Sequence, residues 1–180
     1  MIRASGSAFA VTIFAGTALL LLPFATTDGS SARPITAFFT ATSAVCVTGL
    51  VTVDTATYWS GFGQTVIMLL IQVGGFGIMT LASLAALFLS HKLGLRGRML
   101  AHAETGVLDL GDVRTVLGGV IRFTALFEGT VALLLFLRFW LAYDEGLLRS
   151  VWLGVFHSIS AFNNAGFALF SDNLIGFSED

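Results

Sequence analysis

The sequence predicts an all-α membrane protein, and three observations carry that prediction. Of its 180 residues 56% are hydrophobic and only 11% charged, with a mean hydropathy of +0.88, well outside the usage of soluble domains. Three long apolar runs, at residues 8–25, 62–90 and 116–142, approach or exceed the roughly 20 residues needed to cross the hydrocarbon core. Two shorter apolar stretches, at 35–45 and 150–162, each lead into a glycine turn and are too short to cross. The single cysteine, Cys46, excludes an internal disulfide and a thiolate metal cluster. A formal charge of -2, with no long basic run, leaves no electrostatic footprint for nucleic acid.

The run at 8–25 carries no charge and reads as a first span rather than a signal peptide. Arg3 alone makes a thin basic region, and no small-x-small cleavage site follows before further apolar segments. Pro23 falls near its end, where a missing helical hydrogen bond costs least. The run at 62–90 is preceded by Tyr58 and Trp59, amphipathic rings suited to a membrane interface, and its Gly74, Gly75 and Gly77 allow close helix packing. The run at 116–142 holds Arg122 and Arg138 near its ends, where long side chains reach water, and Glu128 in its middle. A carboxyl group at that depth must face protein or a water path, so Glu128 is expected either to hydrogen-bond between helices or to serve transport directly.

Between the second and third runs lie Lys92, Arg96, Arg98 and Arg114, whereas the other short connections carry only Arg33 and Arg149. The excess of basic residues places segment 91–115 in the cytoplasm, and with it the N-terminus. Segments 26–60 and 143–180 then lie on the outer side.

Each outer segment opens with a polar turn, D-G-S-S-A-R-P or Y-D-E-G-L-L-R, and continues as a short helix. Pro34 suits the first turn of the first one, where its lack of an N–H is harmless. Sliding the chain against itself by 117 positions lays F-F-T-A-T-S-A-V-C-V-T-G-L over V-F-H-S-I-S-A-F-N-N-A-G-F. Phe39 then meets Phe156, Ser43 meets Ser160, Ala44 meets Ala161 and Gly49 meets Gly166. The same shift brings the first span near the third, so the chain reads as a parallel repeat. Backbone that leaves helical geometry inside a bilayer must be surrounded by protein or line a wet cavity. Val47, Thr48, Gly49 and Leu50, and likewise Asn164, Ala165, Gly166 and Phe167, would present carbonyl oxygens to a dehydrating cation. The glycines would reach dihedrals forbidden to other residues, and the C-terminal ends of the short helices would add negative potential.

On F-T-A-T-S-A-V-C-V-T-G-L at 39–50, F-G-Q-T-V-I-M-L-L-I-Q-V-G-G-F-G-I-M-T at 62–80 and F-H-S-I-S-A-F-N-N-A-G-F at 156–167, the sequence resembles the Trk/Ktr/HKT superfamily of potassium transporters, and the N-terminal half of its Ktr-type membrane subunit in particular. The resemblance implies tandem helix, pore-helix, helix repeats with re-entrant filter loops, four around one pore, of which about one and a half would lie here. Residues 1–90 would form the first repeat (span 8–25, pore helix 35–45, filter 46–50, span 62–90), and 91–115 a cytoplasmic linker. Residues 116–180 would form an incomplete second repeat (span 116–142, pore helix 150–162, filter 163–167). It implies further that Gly49 and Gly166 are filter glycines, that K⁺ is the transported ion, sometimes with the help of Na⁺, and that no covalent cofactor takes part. The partners implied are a second copy of the subunit and a cytoplasmic nucleotide-binding regulatory subunit, in the cell inner (plasma) membrane. Ending at Asp180, just after the second filter segment, the sequence is expected to be part of a longer subunit.

Two rival classes compete on the residues. An intramembrane hydrolase would use His157 with Ser158, Ser160 or Cys46, but no H-E-x-x-H motif, paired intramembrane aspartates or orienting acid accompanies them. His157 is instead expected to bond nearby backbone, and Cys46 to pack as a small apolar group. A broken-helix secondary carrier would call for inverted repeats, and these run in parallel. Asp54 and Asp172, five and six residues beyond the two glycines, would either form an acidic outer mouth or sit as solvated loop carboxylates.

Overall fold

The computed structural model describes residues 2–93, 110–143 and 145–177, without the side chains of residues 2–6, 84, 87–93, 110–113 and 116. Arg96 and Arg98 of the expected cytoplasmic connection lie outside the described residues. The chain is all-α: among the described residues there is no strand, only an isolated bridge between Thr26 and Trp59.

Among the described residues six α-helices follow one another: α1 (Ile2–Leu20), α2 (Pro34–Val45), α3 (Thr55–Tyr58), α4 (Gly61–Leu93), α5 (Leu110–Ala142) and α6 (Leu147–Phe162). Within α4 and α5, Gly61–Ser83 and Leu117–Ala142 are long and apolar enough to cross a bilayer. At about 1.5 Å per residue, the 12 residues of α2 and 16 of α6 reach only about 18 and 24 Å, short of a core about 30 Å thick.

Helix ends depart from the limits of the apolar runs, because capping and proline set them rather than hydropathy. The run at 8–25 is helical only to Leu20; Leu22 is extended (ψ 141°), as a residue before proline must be, and Pro23–Ala25 form a 3-10 turn. Conversely α6 begins at Leu147, three residues before the expected start, after the extended Gly146.

The chain forms two compact units. The first comprises Met1–Gly75 and Leu126–Asp180 and holds the whole buried apolar cluster, with Leu20, Trp59, Ile67, Ile71, Leu153 and Phe156 at its centre. Main-chain bonds tie the end of α1 to the start of α4: the Thr27 N–H donates to Tyr58 O (3.0 Å) and the Ser60 N–H to Ala25 O (2.9 Å). The Ser60 hydroxyl adds a bond to Phe24 O at 2.6 Å. The second unit, Phe76–Ala125, holds the remainder of α4 and α5, where Met79, Ala82, Ser83, Gly119, Val120, Phe123 and Thr124 line a shallow apolar cleft.

Candidate functional site

Both short helices end in the same backbone manoeuvre. After α2, Cys46 is right-handed (φ -82°), Val47 left-handed (φ 55°) and Gly49 left-handed (φ 70°). After α6, Asn163 is right-handed (φ -80°), Asn164 left-handed (φ 55°) and Gly166 left-handed (φ 74°). The closing hydrogen bonds match too. The Thr48 N–H donates to Ser43 O at 3.0 Å, and the Ala165 N–H to Ser160 O at 2.7 Å. The acceptors lie within the helices, as in a helix C-terminus closed by a left-handed residue. Positions paired by the 117-residue shift therefore share a conformation as well as a spacing.

The two turns meet. A Cβ placed on Gly49 would lie 2.6 Å from Ala165 O and 3.0 Å from the Gly166 Cα; one on Gly166 would lie 3.2 Å from the Gly49 Cα. Both glycines are left-handed and face each other's backbone, so two independent requirements exclude a side chain.

Neighbouring elements hold each turn at its base. Gly74 of α4 packs on the Val45 carbonyl at the end of α2, and Gly75 packs on the Asn163 side chain at the end of α6; a Cβ on either would collide. The Ser43 and Thr48 hydroxyls are hydrogen-bonded at 2.9 Å across the first turn. At the second, the matched Ser160 hydroxyl reaches further and donates to Phe167 O at 2.6 Å. The Phe167 oxygen is thus engaged by the protein itself, and Phe167 is buried, whereas Leu50 is 62% exposed.

Glu128 is half-buried and turned toward protein. Its Oε2 accepts from Gln72 Nε2 (3.0 Å) and its Oε1 from Asn163 Nδ2 (3.1 Å), while its main-chain oxygen accepts from the Ser158 hydroxyl (2.6 Å). Of the two roles weighed for this carboxyl group, the bond between helices is the one the geometry displays. Gln72 has no role in the reading of the sequence, its only signal being a glutamine inside an apolar run, and Asn163 counts there only within the filter range 163–167.

His157 bonds backbone at both ring nitrogens, Nδ1 with Leu153 O (2.8 Å) and Nε2 as acceptor from the Leu169 N–H (3.1 Å). This pattern assigns the proton to Nδ1. His157 and Ser160 are therefore each committed to main chain and not to one another. Cys46, expected to pack as an apolar group, is exposed instead, because the turn carries it out of the α2 packing face. Asp54 is half-buried and caps α3 through the Ala56 N–H (2.9 Å). The Ser171 hydroxyl beside it holds its carboxyl below the ordinary aspartate value, against the opposing effect of burial. Asp172 is exposed.

Two helices long and apolar enough to cross a bilayer, with two shorter apolar helices whose ends turn toward each other, make this an all-α membrane protein. The chain belongs to the TrkH family of cation transport proteins, whose family model matches residues 7–180. It is 44% identical over 172 residues to the Ktr system potassium uptake protein B of Bacillus subtilis, covering 96% of this chain and 38% of that protein. It is 36% identical over 170 residues to the potassium/sodium uptake protein NtpJ of Enterococcus hirae (93% and 37%). A third relative, the Ktr system potassium uptake protein B of Vibrio alginolyticus, is 38% identical over 162 residues (90% and 35%). The chain thus spans less than two-fifths of the length of these curated relatives.

Proposed function

We propose that the chain contributes two carbonyl-lined segments, at residues 46–50 and 163–167, to a filter through which K⁺ is taken up, with Na⁺ as an assisting ion. The observation that carries this reading is the pair of left-handed glycine turns, alike in dihedrals and touching at Gly49 and Gly166. Short helices whose C-terminal ends point into such turns place the negative ends of their dipoles there, which favours a cation over an anion. Main-chain oxygens at Val47, Thr48, Asn164 and Ala165 would replace part of the ion's hydration shell. The names of the relatives, potassium and potassium/sodium uptake proteins, favour K⁺ as the cargo. Residues 1–90 and 116–180 act as successive repeats of one pore, and the resemblance implies four. The chain sits in the cell inner membrane with its N-terminus cytoplasmic, beside a second copy of the subunit and a cytoplasmic nucleotide-binding regulatory subunit. No covalent step belongs to this mechanism.

Uptake of K⁺ and Na⁺ by the intact protein, in cells deprived of their own K⁺ uptake, tests the reading. Gly49→Val and Gly166→Val force a β-branched residue into a left-handed conformation against backbone, and each should lower the preference for K⁺ over Na⁺ at least tenfold. Variants present in the membrane with an unchanged ratio would remove both turns from the ion path.

A further inference from the structure

We propose that Glu128, together with Gln72, is a positioning residue for the second filter turn, acting on the ion through the carboxamide of Asn163. This inference rests on the filter reading given above. Asn163 is the residue at which α6 gives way to the turn; its own N–H still bonds Ile159 O (3.1 Å), and the next residue is already left-handed. Its side chain is 8% exposed and is held from several directions. Nδ2 donates to Glu128 Oε1 at 3.1 Å, lies 3.3 Å from Gln72 Oε1, and returns to Ile159 O at 2.9 Å. Gly75 closes the remaining side so tightly that a Cβ would overlap Asn163 Oδ1. Glu128 in turn is oriented by Gln72 Nε2 on its other oxygen, and the turn of α5 that carries it is bonded to α6 through the Ser158 hydroxyl.

Both carboxyl oxygens of Glu128 are thus occupied by amide donors, so its influence reaches the cation by fixing the turn rather than by touching the ion. Among the described residues the first turn has no counterpart to this carboxyl group. Its matched residue is Cys46, exposed at the surface, and its local brace is the hydroxyl pair of Ser43 and Thr48. The two turns have one backbone shape and different supports: α4 packs against both, but among the described residues only the second is hydrogen-bonded by side chains of the long apolar helices. Removing the carboxyl group would leave the Gln72 amide without its acceptor and Asn163 Nδ2 held only by Ile159 O and the longer Gln72 contact, so the turn would lose its tie to α5.

The test compares the K⁺/Na⁺ uptake ratio of the intact protein carrying Glu128→Ala, Asn163→Ala or both, with Glu128→Gln as the conservative variant and Gly166→Val as reference. Each alanine variant should lower the ratio about tenfold, the size expected when bonds to an acidic group are lost. The double variant should fall no further than the worse single one, because both break one connection. Glu128→Gln, which still offers an acceptor to Asn163, should stay within about threefold of the wild-type ratio. Alanine variants present at normal levels with the wild-type ratio, or effects that multiply in the double variant, would overturn the proposal. If the alanine variants do not reach the membrane, Asn163→Ser decides on the same ratio: a lowered ratio supports the proposal and an unchanged one ends it. A Gly166→Val variant that also kept its ratio would instead bring down the filter reading itself.

Discussion

Val47 and Asn164 occupy matched positions and share φ 55°, yet the two side chains bear that conformation differently. Asparagine tolerates the left-handed region, whereas a β-branched valine is strained there by about 1–3 kcal/mol. The first turn keeps its shape because the Ser43 and Thr48 hydroxyls and the Thr48 N–H brace it from both sides. Asp54 shows a second use of a single side chain. Its loss in Asp54→Ala should cost about 1 kcal/mol, the usual value of an N-cap, seen as a lower melting midpoint of the detergent-solubilised protein. Because the Ser171 hydroxyl depresses the folded-state pKa of Asp54, the carboxylate's contribution is present above the unfolded value of about 3.9 and is lost as pH falls through the lower folded one. The gap in melting midpoint between wild type and Asp54→Ala should therefore be constant above pH about 5 and narrow below about 4. A gap that widened in acid would refute this account of the Asp54 environment.

At the scale of elements, α4 does more than supply an apolar stretch long enough to cross a bilayer. Its consecutive glycines serve the two turns separately, Gly74 against the end of α2 and Gly75 against the end of α6. Successive residues on a helix point about 100° apart, so one position on α4 can brace two helices that reach it from different directions. In a free helix, replacing glycine by alanine adds up to about 1 kcal/mol of stability. Here the new methyl group meets the Val45 carbonyl, which belongs to rigid backbone. Gly74→Ala is accordingly expected to destabilise by about 1–3 kcal/mol, as overpacking does, and a thermal melt reads the sign directly. A rise in melting midpoint would show that α2 can step away from α4. The His157 bridge works at the same scale, with one imidazole spanning from Leu153 in α6 to Leu169 beyond the turn and holding that strand of backbone against its own helix.

For the molecule as a whole, the first unit is organised around the meeting of its two turns. Helices α1 and α2 and the start of α4 present one, the rest of the unit presents the other, and the buried apolar cluster lies between and around them. The proposed orientation places the polar turn around Asp28, Gly29 and Ser30 outside the cell. With Cys46 replaced by serine, a cysteine at the exposed Ser31 should react with a membrane-impermeant thiol reagent added to whole cells. Labelling only after the cells are broken would reverse the topology and place both turns on the cytoplasmic face.

The all-α class, two of the three expected spans as long apolar helices, and the shorter apolar helices were legible in the chain itself, because hydropathy and run length are local properties written residue by residue. The register of the two turns was legible too: Ser43 with Ser160 and Gly49 with Gly166 stand at one spacing, and a left-handed turn demands glycine wherever it occurs. Where helices stop was less so, since Pro23 and Gly146 act over two or three residues that hydropathy averages away. Only the tertiary structure decided that Gly49 touches Gly166, that Gly74 and Gly75 divide their work, and that Glu128 meets Gln72 and Asn163 across separations of 56 and 35 residues. Such contacts depend on how helices rotate and approach when packed, and no local pattern in the sequence records that rotation.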